Sequence, residues 1–203
     1  QGTIAVEFLK EMQDADNVII PVGGGGLASG IAAYLKESGS KAKIIGVQSE
    51  AVSGMTASLR KRRIVRVTGS SIIAEGISVK TPGDITYDIC SKYLDDIVTV
   101  SENMIAASIL EYMEKAKLVV EGAGAAPLAA IMSRSVDYKD KNNVLLVSGG
   151  NIDINMISRI ISKGMSTSGR FLELTLNLKD SPGSLAAITK FLADEGANIL
   201  DIR

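Results

Sequence analysis

The sequence contains no histidine, and this absence narrows the chemistry that the protein could perform. Without an imidazole, the chain cannot build a Ser-His-Asp or Cys-His catalytic group, or a metal site with histidine ligands. Cys90 is the only cysteine, so there is neither a disulfide framework nor a cysteine-based metal site, and we expect a buried structural thiol. If the protein is an enzyme, we therefore expect a cofactor to supply the difficult part of the reaction.

Long apolar runs and an excess of charge of one sign are absent as well. The net charge is −1, which gives no electrostatic reason to expect nucleic acid or an anionic membrane as a partner. No apolar run approaches the ~20 residues of a membrane span, and no secretory signal opens the chain, so we expect a cytoplasmic protein. Because the chain begins with Gln1 rather than Met and ends within a predicted strand, we interpret it as a piece of a longer protein.

A run of four glycines, Gly23–Gly26, is the most informative feature that the sequence does contain. It lies between an apolar run at 18–22 and a helix-forming stretch at 27–36. Such a loop can bind phosphate, because no side chain blocks the backbone and the following helix adds free N–H groups and the positive end of its dipole. Three interpretations stay open. They are a dinucleotide site, with G-x-G-x-x-A at Gly23–Ala28 and Glu50 on a ribose; a single-phosphate site; and a tight turn without a ligand.

Periodicity predicts alternating strands and helices over residues 1–163, which is typical of an α/β fold with a doubly wound parallel sheet. Ser148 follows the last of these strands and opens the tetrapeptide Ser-Gly-Gly-Asn. Ligands gather beyond the carboxyl ends of the strands in such a sheet, so we expect Ser148 and the glycine run to face one cavity. The predicted strands are 17–22, 44–47, 96–100 and a buried strand at 144–147; the predicted helices are 3–12, 27–37, 53–61, 84–94, 101–115, 118–133 with a break near Gly122–Gly124, and 153–163.

A second unit is predicted at 170–203, after a polar, small-residue linker at 164–169. Its pattern predicts a strand at 171–178, a helix at 185–195 and a strand at 197–202. These three elements form a β-α-β unit, which is too small to close a hydrophobic core by itself.

Six stretches within residues 1–165 carry family motifs: Pro21–Leu27, Ile45–Glu50, Ala74–Lys80, Leu94–Val98, Glu121–Ala125 and Ser148–Asp153. In this order they resemble the C-terminal part of the catalytic domain of threonine dehydratase (threonine ammonia-lyase), a fold-type II pyridoxal-phosphate enzyme. The resemblance implies a tryptophan-synthase-β-like fold over residues 1–163. It also implies a β-elimination that converts L-threonine to 2-oxobutanoate and ammonia, or L-serine to pyruvate.

The resemblance further implies a site for pyridoxal 5'-phosphate. The cofactor phosphate is expected on the backbone of the glycine run, and the Ser148 hydroxyl at the pyridine nitrogen. A neutral group there does not keep that nitrogen protonated as a carboxylate would. The implied cofactor-binding residues are Gly23, Gly24, Gly25, Gly26, Leu27, Glu75, Gly76 and Ser148, and no metal site is expected.

The family's Schiff-base lysine belongs to a Ser-x-Lys-x-Arg-Gly-like motif, and no lysine of this chain has that context. We therefore expect no catalytic residue within residues 1–203 and no activity from the chain alone. Two alternatives to threonine deamination stay open. One is a serine dehydratase or serine racemase of the same fold, and the other is a non-catalytic amino-acid-sensing or dinucleotide-binding module.

Residues 170–203 resemble the first half of an ACT domain, a ferredoxin-like regulatory module that binds amino acids. The resemblance rests on Asp180–Leu185, which matches the D-x-P-G-x-L turn of that module. It implies a homo-oligomer regulated by an amino-acid effector. The residues expected to contact the effector are Asp180, Pro182, Gly183 and Leu185.

Overall fold

The computed structural model describes residues 1–167 and 169–202, which form two compact units. The first unit is Gln1–Phe171, and the second begins at Leu172. The first unit is built on a four-stranded sheet in the order β3-β2-β1-β4. Every pairing between neighbouring strands is parallel, which confirms the predicted α/β class. The strands are β1 (Asn17–Pro21), β2 (Lys43–Ser49), β3 (Asp96–Val100) and β4 (Asn143–Leu145).

Helices cover both faces of this sheet. Successive side chains of a strand point to opposite sides, so an apolar strand such as β1 contributes to a core on each face. Val18 and Ile20 of β1 pack in one core with the first four helices, and Ile19 packs in a second core with the next three. None of the described helices is both long and apolar enough to cross a membrane. A 3-10 turn lies at Glu75–Ile77, and a π-helical turn at Tyr112–Ala116 continues α5. The α-helices of this unit are α1 (Thr3–Glu11), α2 (Gly26–Glu37), α3 (Gly54–Lys61), α4 (Asp84–Tyr93), α5 (Glu102–Glu111), α6 (Gly122–Met132) and α7 (Ile154–Thr167).

Three predicted elements of this unit differ from the structure. The glycines near residue 122 do not break a helix; Gly122 begins α6, where a Cβ would overlap the Ile73 carbonyl. The strand predicted as buried, β4, is shorter and half-buried because it lies at the edge of the described sheet. Helix α7 continues to Thr167, four residues into the predicted linker, because Gly164 packs against α5. A Cβ at Gly164 would lie 3.1 Å from the Ala106 carbonyl oxygen. Ser168 of that linker lies outside the described residues.

The second unit contains one helix, α8 (Ser184–Asp194), as predicted, but neither of the two predicted strands. Residues 172–178 and 197–202 are extended or irregular and exposed to solvent. A strand needs a neighbour for its backbone hydrogen bonds, and a two-stranded pairing is marginal without further strands or a packed face. The alternating pattern of this segment was therefore not sufficient to predict strands within this chain.

Candidate functional site

The glycine loop, Gly23–Gly26, connects the end of β1 to the start of α2 at the centre of the sheet. Gly25 has a φ of +93°, in the left-handed region that favours glycine. A Cβ at Gly25 would lie 2.6 Å from Cε of Met55 and 3.0 Å from Cβ of Thr86. Both its backbone conformation and its packing therefore require a glycine at this position.

The backbone N–H groups of residues 23–28, which we call the loop amides, have no hydrogen-bond partner in the described part of the chain. None of them donates a hydrogen bond to another described residue. They lie where β1 ends and at the first turn of α2, whose dipole is positive there. Several free N–H groups on a glycine loop at a helix N-terminus are the usual means by which proteins bind phosphate.

A cavity of about 410 Å³ opens beside the loop amides. Its volume is within the range of small-molecule sites. The structure brings to it most of the predicted cofactor-binding residues, since Gly23, Gly24, Gly25, Gly26, Leu27, Gly76 and Ser148 all line it. Glu75 does not line the cavity: it is exposed in the short 3-10 turn Glu75–Ile77, and its role at a cofactor stays a prediction.

Ser148 lines the cavity because β4 pairs in parallel with β1, so both strands end at the same edge of the sheet. Its side chain makes no hydrogen bond to another described residue. The hydroxyl group can therefore donate to, or accept from, a ligand in the cavity. The cavity thus combines a group of backbone donors with one neutral hydroxyl.

Glu121 is a lining residue that the sequence analysis did not select. It precedes α6, and its N–H donates to the carbonyl of Gly149 at 3.3 Å. Its carboxylate packs against Gly149, where a Cβ would overlap it, and Gly149 has a φ of +94°. The only signal in the sequence was its position at the start of the Glu-Gly-Ala-Gly-Ala motif. The motif therefore brings an acidic group to the cavity beside Ser148.

Two further observations concern the chemistry of this site. Among the described residues, no lysine lines the cavity, and no cluster of acidic or cysteine side chains could hold a metal ion. Cys90 of α4 lies behind the loop, with Sγ 3.9 Å from the Gly25 carbonyl oxygen. Burial raises the pKa of this thiol to about 11, so it is neutral near pH 7.

The predicted effector residues all lie in the second unit. Asp180, Pro182, Gly183 and Leu185 are exposed. Gly183 precedes α8 with a φ of +90°, so this turn also favours glycine. Their role at an effector site stays a prediction.

Comparisons with known proteins agree with this geometry. Residues 1–150 match the family of pyridoxal-phosphate dependent enzymes. The L-threonine ammonia-lyase of Thermotoga maritima is 45% identical over 202 residues, an alignment that covers 100% of this chain and 50% of that protein. The chain thus spans about half the length of the curated relatives it matches.

Solved structures give the same pattern of similarity. Threonine deaminase isoform 2 from Solanum lycopersicum superposes with a TM-score of 0.75 and 30% identity, covering 80% of this chain and 48% of that one. Serine racemase from Dictyostelium discoideum superposes with a TM-score of 0.69 and 30% identity, covering 75% and 49%. The fold is therefore that of fold-type II pyridoxal-phosphate enzymes, as the sequence motifs predicted.

Proposed function

The chain belongs to the family of pyridoxal-phosphate dependent enzymes, and from this we propose that it provides the phosphate-binding part of an enzyme that deaminates L-threonine. The products are 2-oxobutanoate and ammonia. The observation that carries the proposal is the group of unpartnered loop amides beside a cavity that Ser148 also lines.

The loop amides fit the phosphate group of the cofactor in charge and in hydrogen-bonding capacity. A phosphate dianion accepts several hydrogen bonds, and the positive end of α2 favours negative charge at this point. A Cβ at Gly26 would meet no protein atom within 4 Å, so the space beside this residue is free for a ligand. Pyridoxal without its phosphate should accordingly bind much more weakly.

Ser148 fits the ring nitrogen of the cofactor. When bound, pyridoxal phosphate supplies the electron sink that allows a proton to leave the α-carbon of the substrate and a hydroxyl group to leave its β-carbon. A neutral hydroxyl does not hold a proton on the ring nitrogen as a carboxylate would. A neutral hydroxyl at Ser148 would therefore suit elimination of the β-hydroxyl group.

L-Threonine is the preferred substrate in this proposal. Two curated relatives that align with 98–100% of this chain, at 43–45% identity, are named L-threonine ammonia-lyase. Serine dehydration or racemisation is the alternative within the same fold. The dinucleotide alternative has less support, because Glu50, its expected ribose ligand, is exposed and does not line the cavity.

The remaining parts of the proposal concern regulation and organisation. We propose that residues 1–163 belong to the catalytic domain and 170–203 to an ACT unit, joined by 164–169, whose first four residues are the end of α7. An amino-acid effector then binds at the turn that contains Asp180, Pro182, Gly183 and Leu185, in a homo-oligomer that acts in the cytoplasm. The separation of a second compact unit at Leu172 and the left-handed Gly183 support this part of the proposal.

The test is a chimera, because no lysine lines the cavity among the described residues. This chain replaces the matching half of the Thermotoga maritima L-threonine ammonia-lyase. We expect 2-oxobutanoate from L-threonine, in a reaction that requires added pyridoxal phosphate and is lost when Gly26→Val fills the space beside the loop amides. Formation of D-serine or pyruvate from L-serine without deamination of L-threonine would favour the alternative.

A further inference from the structure

Three hydrogen bonds to carbonyl groups in and just before the glycine loop contrast with the free loop amides. The Thr86 hydroxyl, on α4, donates to the carbonyl of Gly24 at 2.5 Å. The buried side-chain amide of Gln48 donates to the carbonyl of Val22 at 3.0 Å, just before the loop. The carbonyl of Gly25 accepts from the N–H of Ser29 at 2.8 Å. The carbonyls of Val22, Gly24 and Gly25 are therefore occupied by protein donors, whereas the loop amides beside the cavity have no partner among the described residues.

The bond from Thr86 determines where the next N–H group points. In a trans peptide the C=O and N–H of one unit point in opposite directions. The carbonyl of Gly24 and the N–H of Gly25 belong to the same peptide unit. When Thr86 holds that carbonyl towards α4, the Gly25 N–H is turned away from α4.

A restraint of this kind is needed because glycines allow peptide planes to turn over. Glycine adopts positive and negative φ about equally readily, so a run of four has several accessible conformations. Turning over the peptide between Gly24 and Gly25 would direct a carbonyl oxygen at a bound anion and remove one donor. Gly25 already requires a φ of +93°, so its conformation depends on the contacts around it.

Resting on the proposed function, we propose that Thr86 is a positioning residue for the phosphate site. Its hydroxyl fixes the orientation of the peptide between Gly24 and Gly25, so that the Gly25 N–H is ready to bind the phosphate group. The hydroxyl is also 3.0 Å from the carbonyl of Gly83, the residue that precedes α4. The contact with Gly24 is shorter and links two segments that are 62 residues apart.

The test compares Thr86→Val, which removes the hydroxyl and keeps the shape of the side chain, with Thr86→Ser, which keeps the hydroxyl. The matched control is Ser91→Ala on the same helix, since the Ser91 hydroxyl is exposed and donates only to the carbonyl of Asp88 among the described residues, at 2.8 Å. Each variant of the 203-residue chain is titrated with pyridoxal phosphate and, separately, with inorganic phosphate. Thermal unfolding without ligand identifies the folded variants, and Thr86→Ala is the second hydroxyl-free variant if Thr86→Val does not fold.

We expect Thr86→Val to weaken the binding of both probes about tenfold, which corresponds to the loss of roughly one hydrogen bond. Thr86→Ser and Ser91→Ala should stay within about twofold of the unmodified chain. In amide NMR spectra, the phosphate-induced shift of the Gly25 N–H should be smaller in Thr86→Val.

Three results would overturn the assignment of Thr86. They are unchanged binding by the hydroxyl-free variant, an equal loss in Thr86→Ser, and a loss for pyridoxal phosphate without a loss for inorganic phosphate. If the unmodified chain binds neither probe, the proposed function fails rather than the role of Thr86.

Discussion

Two glycines of the loop differ in what the protein around them requires. Gly25 needs both its left-handed conformation and the space that Met55 and Thr86 leave for it. At Gly26 a Cβ would meet no protein atom within 4 Å, so the protein itself does not require a glycine there. A loss of binding on substitution of Gly26 would therefore report on the ligand rather than on the fold, which makes this residue a direct probe of the site.

Gly26→Ala should therefore separate binding from stability. We expect its free energy of unfolding to be unchanged or higher by up to about 1 kcal/mol, because alanine favours a helix more than glycine does. Its affinity for pyridoxal phosphate should fall, because the methyl group occupies the space beside the loop amides. Urea unfolding and cofactor titration measure the two effects. In the comparison variant Gly25→Ala, both the cofactor affinity and the free energy of unfolding should fall. Full cofactor affinity in Gly26→Ala would be evidence against this site.

At the scale of elements, the order of the strands brings the site together. The glycine loop leaves the central strand β1, and Ser148 follows the neighbouring strand β4, so parallel pairing puts both at one edge of the sheet. Helix α4 packs behind the loop through Thr86 and Cys90, which are four residues apart and lie on one face of the helix. The site thus depends on tertiary packing as well as on the loop sequence.

Asp95 connects β2 and β3 to α2, and its loss should destabilise the sheet. Its Oδ2 accepts from the buried Ile44 N–H at 2.7 Å and lies 2.8 Å from Nζ of Lys36. We expect Asp95→Ala to lower the free energy of unfolding by about 1–3 kcal/mol, because a buried N–H loses its acceptor. The control is Asp96→Ala, which removes an exposed ion pair with Lys43 and an exposed hydrogen bond from the Ile97 N–H, which water can replace. It should cost less than about 1 kcal/mol.

The effect of Asp95 should also depend on pH. Burial alone would raise the pKa of Asp95, but the Ile44 N–H and the Lys36 ammonium group outweigh burial and lower it below its ordinary value. Because the folded-state pKa is lowered, the stabilisation is present above the unfolded-state pKa of about 3.9 and is lost as pH falls through the folded-state value. Urea unfolding at a series of pH values should show the difference between Asp95→Ala and the unmodified chain shrinking on acidification. A difference that stayed constant would contradict this role.

Cys90 should react slowly while the chain is folded. Burial raises the pKa of its thiol from 9.0 to about 11, so the thiolate fraction near pH 8 is about a hundredfold lower than in the unfolded chain. Alkylation with iodoacetamide, followed by mass spectrometry, measures the rate with and without denaturant. Equal rates in the two states would show that the thiol is accessible and that α4 does not pack closely behind the loop.

The sequence predicted the sheet and the loop better than it predicted the edges of the fold. Apolar runs and the glycine loop have local signals, so β1, β2, β3 and α2 were predicted close to their observed positions. Glu121 was missed because its contact with Gly149 depends on two segments that are distant in the sequence. The strands predicted at 171–178 and 197–202 failed for another reason, since local alternation does not supply the neighbouring strand that their backbone groups need.

At the scale of the whole molecule, the sheet and the candidate site lie in the first unit. The second unit has one helix and, within its described residues, exposes large apolar side chains. No residue of the second unit lines the cavity among the described residues. The exposed side chains are Leu172, Leu174, Leu176, Leu178, Leu185, Phe191, Ile199, Leu200 and Ile202.

Removal of the second unit should therefore leave cofactor binding intact. A chain that ends at Phe171 keeps the whole first unit, and we expect its affinity for pyridoxal phosphate to stay within about twofold of the full chain, because every lining residue is retained. It should also be more soluble, because it lacks the exposed apolar side chains. Cofactor titration and light scattering measure these properties. A large loss of affinity would mean that the second unit contributes to the site.

The central claim is that the loop amides bind the phosphate group of pyridoxal phosphate, and amide NMR of the glycine-labelled chain tests it most directly. Spectra are recorded with pyridoxal phosphate and, separately, with pyridoxal, which lacks the phosphate group. We expect the N–H signals of Gly24, Gly25 and Gly26 to shift with pyridoxal phosphate and not with pyridoxal, while the signal of the distant Gly39 stays unchanged in both. Equal shifts with the two compounds, or no shift in the loop while the cofactor binds, would contradict the account.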